Sequence, residues 1–270
     1  MNSVPTEFIH EVFMAVDLDT TFTVRRVCGI FGFLTKNFRK QRNEKNIVCK
    51  NGKIDRIECY NRGKTYCDDG FNAKYQYCTN LIFDGSRKIP PVNKNILRKM
   101  AMEPGRHVLV LNTVNDAWIE EFASWKKLCC VDLKVSLDEN VLKLLRKLLD
   151  QEQLVELYLT SGTQEEMEIA CEFLQQDQFH CLLFREFKYE QLVALWNIGS
   201  SKMSGKIVLW RQSVILHSKS AFQRLNRIER DLIRYESGDQ IVEYINRNGT
   251  LEMSDDEFMR GVDKSSVRFL

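Results

Sequence analysis

Several features that would place a sequence in a special class are missing from this chain of 270 residues. No apolar run approaches the roughly 20 residues that a membrane-spanning helix needs. Lys and Arg number 39 against 37 Asp and Glu, so a net charge of +2 creates no field to attract nucleic acid or an anionic membrane. With 44% apolar and 28% charged residues, the composition excludes disorder, collagen and coiled-coil arrays. We expect one large globular domain or two smaller ones.

Signatures of catalysis are also missing. Gly63-Lys64-Thr65 is similar to the end of a phosphate-binding loop, but Glu58 stands where that loop needs its first glycine. The chain contains no Gly-x-Ser-x-Gly, His-Glu-x-x-His or Gly-x-Gly-x-x-Gly motif. Four histidines are scattered along the chain: His10, His107, His180 and His217. We therefore expect a protein that is not an enzyme and needs no cofactor.

Nine cysteines do not form a recognisable metal site. Cys49, Cys59, Cys67 and Cys78 are separated by nine, seven and ten residues, whereas structural zinc sites bring their ligands in close pairs. We expect these cysteines to act as small buried hydrophobic residues. Acidic residues stand near the N-terminus, whereas a signal peptide requires a basic cap and an apolar run there. We therefore expect no secretion of this chain. A location in the cytoplasm or nucleus would keep its thiols reduced.

Changes in residue composition and apolar spacing along the chain predict an α/β protein of four segments. Residues 1–45 carry apolar residues at helical spacing, and residues 46–92 are rich in β-branched, aromatic and cysteine residues. Within the second segment, Asn51-Gly52 is the favoured pair for a two-residue hairpin turn. Residues 93–217 alternate strands with helices, and residues 218–270 show a three-four apolar spacing that predicts a helical cap.

The third segment repeats the template Leu-x-x-Leu-x-Leu, with any large apolar residue allowed. It fits in full at Leu128/Val131/Leu133, Leu154/Leu157/Leu159 and Phe179/Leu182/Phe184, and without the first position at Leu109/Leu111 and Ile207/Leu209. The last anchors are 22 to 26 residues apart, within the 20 to 29 residues of leucine-rich repeats. The pattern resembles irregular leucine-rich repeats with parallel strands. An open parallel α/β sheet of another kind is the alternative.

Helical stretches separate these strands. They are predicted at Asp116–Trp125, Asp138–Asp150, Thr163–Gln176 and Tyr189–Ile198. Ser136-x-x-Glu139 and Thr163-x-x-Glu166 have the spacing of capping boxes at two of the starts. The tail contains a third such box, Ser254-x-x-Glu257.

The strand template also predicts which side chains face outward. Anchors point inward, and the residues between and just after them point out because side chains alternate along a strand. The outward strip comprises Val110, Asn112, Asp132, Lys134, Tyr158, Thr160, Leu183, Arg185, Val208 and Trp210. Tyr, Arg and Trp often dominate interface energy, so the candidate substrate-binding residues are Asp132, Lys134, Tyr158, Arg185 and Trp210. Alternatively, a helix or the tail covers the strip.

The N-terminus carries the most informative motif. Val4-Pro5-x-Glu7-Phe8-Ile9-x-x-Val12-Phe13 is followed by Phe22-x-Val24-x-x-Val27-Cys28-x-x-Phe31. This pattern resembles an F-box, which opens with Leu-Pro-x-Glu and later has Val-Cys or Val-Ser three residues before an aromatic. The Val-Pro opening is similar to the divergent F-box proteins expanded in nematodes.

The resemblance implies a substrate-recognition subunit that docks on a Skp-type adaptor of a cullin ubiquitin ligase and presents an unknown protein substrate. The implied adaptor-binding residues are Val4, Pro5, Phe8, Ile9, Val12, Phe13, Val27 and Phe31. One alternative is a stand-alone interaction scaffold without adaptor binding. Another is a nucleic-acid-binding module that uses the ten basic residues of Lys36–Lys64, although a solvated surface is the interpretation we favour there.

Overall fold

A computed structural model describes residues 42–61, 64–66, 76–84, 93–186, 203–210, 223–237 and 240–270, with the single positions Phe33 and Leu195. The F-box-like motif and all of the predicted helix Tyr189–Ile198 except Leu195 lie outside these residues. The chain forms two compact units, residues 1–129 and 130–270. The division falls inside the predicted strand-helix segment. The fold class is α/β with parallel strands, as predicted in outline.

The described strands of the first unit form one sheet in the order β5-β4-β1-β2-β3. Its elements are β1 (Asn43–Lys50), β2 (Lys53–Asn61), β3 (Lys64–Tyr66), β4 (Gln76–Asp84), α1 (Lys94–Ala101), β5 (Arg106–Leu111) and α2 (Asp116–Ala123). Asn51 and Gly52 both have positive φ, at 53° and 75°, which confirms the predicted two-residue hairpin between β1 and β2. Strand β1 also pairs in parallel with β4, which in turn pairs in parallel with β5.

An aromatic cluster forms much of the core of this unit. The Phe83 ring lies 5.4 Å from Trp118 and 5.0 Å from Phe122, measured between centroids. Phe122 in turn contacts Trp125 edge to face at 5.0 Å. Such arrangements suit the quadrupoles of aromatic rings and bury large apolar areas. Helix α2 is therefore fixed to the sheet by its Trp and Phe side chains.

Eight strands in the described part of the second unit form its sheet, in the order β6-β7-β8-β9-β13-β12-β11-β10. They are β6 (Leu128–Leu133), β7 (Glu156–Leu159), β8 (Cys181–Phe184), β9 (Ile207–Trp210), β10 (Gln223–Glu229), β11 (Leu232–Ser237), β12 (Gln240–Ile245) and β13 (Lys264–Phe269). The described helices are α3 (Glu139–Asp150), α4 (Gln164–Leu174) and α5 (Asp255–Arg260). Strands β6, β7, β8 and β9 pair in parallel, each with the next. Strand β9 also pairs antiparallel with β13, and antiparallel pairing continues from β13 to β12, β11 and β10.

Helix α3 connects β6 to β7, and α4 connects β7 to β8. Because these strands are adjacent in chain order and parallel crossovers are right-handed, both helices lie on the same face of the sheet. The two helices contact each other. None of the helices in the described ranges combines the length and the apolar character needed to cross a membrane.

The predicted helix caps are partly confirmed. Thr163 Oγ1 accepts from the Glu166 amide, and Ser254 and Glu257 form the full reciprocal capping box. Ser136 is not a cap, because the Asp138 carboxylate accepts from the Val141 amide and α3 therefore begins at Glu139.

The prediction of a helical cap at residues 218–270 is wrong within the described residues. Strands β10 to β13 occupy most of this segment, and only α5 is helical. The apolar residues whose spacing of three and four indicated a helix lie on both sides of the turn at Arg230–Asp231. This turn joins β10 to β11. Alternation along β12 determines the structure instead, since Val242 and Tyr244 are buried between half-buried neighbours.

His107 on β5 is a completely buried titratable residue of the first unit. Its Nε2 lies 3.0 Å from the carbonyl oxygen of Glu103, so Nε2 carries the proton and donates. Lys127 Nζ donates to the same carbonyl at 2.9 Å, and the His107 ring packs edge-on against Trp125. Burial lowers the pKa of His107, because the charged imidazolium would lose its hydration.

This environment predicts a specific loss of stability in mild acid. The unfolded chain takes up the His107 proton more readily than the folded chain, so the free energy of unfolding should fall as pH drops below about 6.5. Urea unfolding followed from about pH 7.5 to about pH 5 measures this slope. His107→Gln should flatten the slope, whereas the matched variant His180→Gln should retain it. An unchanged slope in His107→Gln would contradict the assignment.

Candidate functional site

The register of the parallel strands aligns two sets of side chains on opposite faces of the second sheet. On one face, Val131, Leu157, Leu182 and Val208 oppose one another, followed by Leu159, Phe184 and Trp210. All seven are at most 1% exposed. The template anchors on β6, β7 and β8 are therefore confirmed as core residues.

The opposite face carries Asp132, Tyr158, Leu183 and Leu209 as directly opposed neighbours. We call these four residues the outer row. Tyr158, Leu183 and Leu209 are only half-buried, in contrast to the anchors beside them. Side chains of the outer row therefore form the less buried surface of β6 to β9 among the described residues.

Asp132 is the charged residue at the β6 end of the outer row. Its Oδ1 lies 2.5 Å from Arg185 Nη2, and its Oδ2 lies 2.8 Å from Lys134 Nζ. The three side chains are 12%, 19% and 35% exposed for Asp132, Arg185 and Lys134, respectively. The three side chains are thus in contact with one another, and Asp132 is more buried than the strip predicted. We call them the acid–base cluster.

Tyr158 lies beside Asp132 in the outer row. Its hydroxyl donates to Glu156 Oε2 at 2.8 Å, and Glu156 stands two residues earlier on the same strand. Burial raises the pKa of the Tyr158 hydroxyl, which therefore remains protonated and acts as a donor. The half-buried ring and its anchored hydroxyl match the predicted placement of Tyr158 on this face.

Trp210 and Val208 do not belong to the strip, so this part of the prediction is wrong. Trp210 is 1% exposed and Val208 is fully buried. Strand β9 is Ile-Val-Leu-Trp, so both of its faces are apolar and hydrophobicity alone does not define its phase. Pairing with β8 places Trp210 opposite the anchor Phe184, and Leu209 takes the outer position instead.

Further members of the predicted strip differ in exposure and partners. Val110 and Thr160 are half-buried, and Asn112 is exposed. The Thr160 hydroxyl donates to Glu166, whose carboxylate also accepts from the amide and hydroxyl of Ser161. The Thr160 hydroxyl therefore stabilises the loop before α4 through this hydrogen bond. Burial raises the pKa of Glu166, which is the carboxylate that closes this loop.

Lys206 is a buried polar residue that the sequence pattern does not reveal. Its ammonium group donates to the carbonyl oxygens of Gln176 at 2.5 Å and Phe179 at 2.9 Å. Burial lowers the pKa of Lys206. These carbonyls follow the C-terminal end of α4, so the lysine joins β9 to the segment after that helix. A lysine followed by an apolar strand carries no local signal of this contact.

Three basic residues in the described part of the stretch Lys36–Lys64 are paired with acidic residues of the protein. Arg42 contacts Glu44 at 2.8 Å and lies over the Tyr77 ring. Lys45 pairs with Glu103 at 2.8 Å, and Arg56 Nε lies 3.1 Å from Glu58. This pairing leaves fewer cations for phosphates and does not favour the nucleic-acid interpretation.

Seven cysteines are described, and none of them forms a disulfide: Cys49, Cys59, Cys78, Cys129, Cys130, Cys171 and Cys181. Among the described residues, no three His, Cys, Asp or Glu side chains come together in a way that could hold a metal ion. Burial raises the pKa of Cys49 to about 11, which keeps this thiol protonated and poorly nucleophilic.

No protein-family model matches the chain, and a search of curated proteins finds no relative.

The two faces of the sheet predict opposite effects of aromatic substitutions. Trp210→Ala removes a buried side chain opposite Phe184 and should lower the free energy of unfolding by about 3–5 kcal/mol. Tyr158→Phe removes one hydrogen bond to Glu156 and should cost only about 1 kcal/mol. Chemical denaturation of both variants measures the difference. A Trp210→Ala variant as stable as the unsubstituted protein would contradict the register of β9.

Proposed function

We propose that this chain is the substrate-recognition subunit of a cullin-type ubiquitin ligase and acts without catalytic chemistry of its own. The observation that carries the proposal is the F-box-like motif, because residues Val4 to Phe31 resemble the F-box pattern without a gap. Its apolar residues recur at helical spacing, as a surface that docks on a partner requires. In this proposal, the motif binds a Skp-type adaptor and the following strand-helix units bind the substrate.

The second unit supports the substrate-binding half of the proposal. Strands β6 to β9 stack side by side, and each successive strand adds one residue to the outer row. Stacked units of this kind create an extended surface, which is how solenoid proteins bind their partners. Leu183 and Leu209 provide apolar area, and the acid–base cluster provides polar contacts beside it. An apolar centre with a charged rim is the usual composition of a protein interface.

The adaptor half of the proposal predicts a defined loss of binding. Phe8→Ala combined with Val27→Asp should abolish capture of a purified Skp-type adaptor, because an unpaired charge in an apolar interface is costly. Co-purification of the two tagged proteins measures the capture. Lys40→Asp, a charge change outside the motif, is the matched control and should retain it.

The outcome separates the proposal from its alternatives. Thermal unfolding of the double variant should resemble that of the unsubstituted protein, since the substitutions lie far in sequence from the strand-helix units. Failure of the unsubstituted chain to capture the adaptor would contradict the ligase role and leave a stand-alone interaction scaffold. Capture that survives both substitutions would show that the motif is not the docking surface.

A further inference from the structure

We propose that the acid–base cluster of Asp132, Lys134 and Arg185 binds a carboxylate of an acidic segment in the protein substrate. In the free protein, the Asp132 carboxylate occupies the position that the substrate's carboxylate would take. This inference rests on the proposed substrate-binding role of the same surface, and it defines the chemistry of the substrate.

Charge is the first reason for this assignment. Two cations converge on a single carboxylate, with contacts of 2.5 Å and 2.8 Å, so the cluster carries a formal charge of +1. Glu156 lies elsewhere on this face, nearer the amino ends of the strands, and it accepts the Tyr158 hydroxyl. The side chains that contact Asp132 therefore carry more positive charge than Asp132 neutralises, which suits an anionic group.

Incomplete hydrogen bonding of Arg185 is the second reason. Its Nη2 donates to Asp132, but Nε is buried and has no hydrogen-bond partner among the described residues. A guanidinium group has five N–H donors in a fork that matches a carboxylate in a bidentate pair. An incoming carboxylate that displaces the Asp132 carboxylate toward solvent and reorients the guanidinium would give Nε a partner. An unsatisfied buried donor destabilises the free protein, and binding would remove this cost. The difference would favour the complex.

The apolar part of the outer row restricts the substrate further. Leu183 lies on β8, two residues before Arg185, which directly follows that strand, and Leu209 opposes Leu183 on β9. Both leucines belong to the outer row that begins at Asp132, the residue that the two cations contact. Burial of a large apolar side chain against them would add to the ionic contact. The matching ligand is an extended segment with an acidic residue close to an apolar one.

Selection from a phage-displayed library of random peptides on the full-length protein tests this inference. We expect the selected peptides to be enriched in Asp and Glu, with Leu, Ile, Phe or Met nearby. Fluorescence anisotropy of one labelled selected peptide should show binding about tenfold weaker for Lys134→Gln and for Arg185→Gln. Binding should also weaken as salt concentration rises.

Two further variants make the test specific. Asp132→Asn removes the internal competitor and should bind the acidic peptide several-fold more tightly, with thermal unfolding confirming that it is folded. Arg146→Gln, which removes an exposed cation of α3, should bind like the unsubstituted protein. Selected peptides without an acidic excess, no selected peptides, or full affinity in Lys134→Gln would each overturn the inference.

Adaptor capture by the same preparation distinguishes this inference from the proposed function. Acidic peptide binding without adaptor capture would overturn the ligase role and support the acidic ligand. Adaptor capture without acidic peptide selection would support the ligase role and overturn the acidic ligand.

Discussion

Side chains directly opposed on neighbouring parallel strands share one face of the sheet, and this constraint determines the surface chemistry of the second unit. Leu157 and Leu159 must both be buried against the helix-covered face, so Tyr158 between them must point the other way. The same alternation in β8 buries Leu182 and Phe184 and turns Leu183 outward. The inner rows therefore supply stability, and the composition of the outer row follows from them.

The acid–base cluster follows from the same constraint. Asp132 lies between the anchors Val131 and Leu133, so it cannot leave the outer face without exposing them. A largely buried carboxylate requires charged partners, and Lys134 and Arg185 provide them. Arg185 follows β8, two strands from β6, so the ion pair spans β7. The polar face is thus connected across strands rather than being a set of independent surface charges.

Local sequence signals predicted the features that depend on neighbouring residues. Asn51-Gly52 specifies its turn through its own backbone preferences, and Thr163 and Ser254 cap helices whose first turns they adjoin. The phase of β9 could not be predicted, because all four of its residues are apolar and only pairing with β8 places Trp210 inside.

Contacts between distant parts of the sequence explain the remaining differences. The tail was predicted as a helix because apolar residues on either side of the β10–β11 turn happen to have helical spacing. Lys206 bonds to carbonyls up to 30 positions earlier, and Arg185 pairs with a residue 53 positions earlier. No local pattern contains such distances. The outline of the candidate surface was therefore predictable from alternation, whereas its ion pairs and its boundary at Trp210 were not.

Hydroxyl-radical footprinting read by mass spectrometry tests most directly whether the outer row is the accessible face of the parallel strands. The register predicts that Leu183 and Leu209 are modified several-fold faster than Leu157 and Leu182, which have the same side chain but face the core. Equal protection of all four leucines would show that another part of the chain covers the outer row. Faster modification of Leu157 and Leu182 would contradict the register itself.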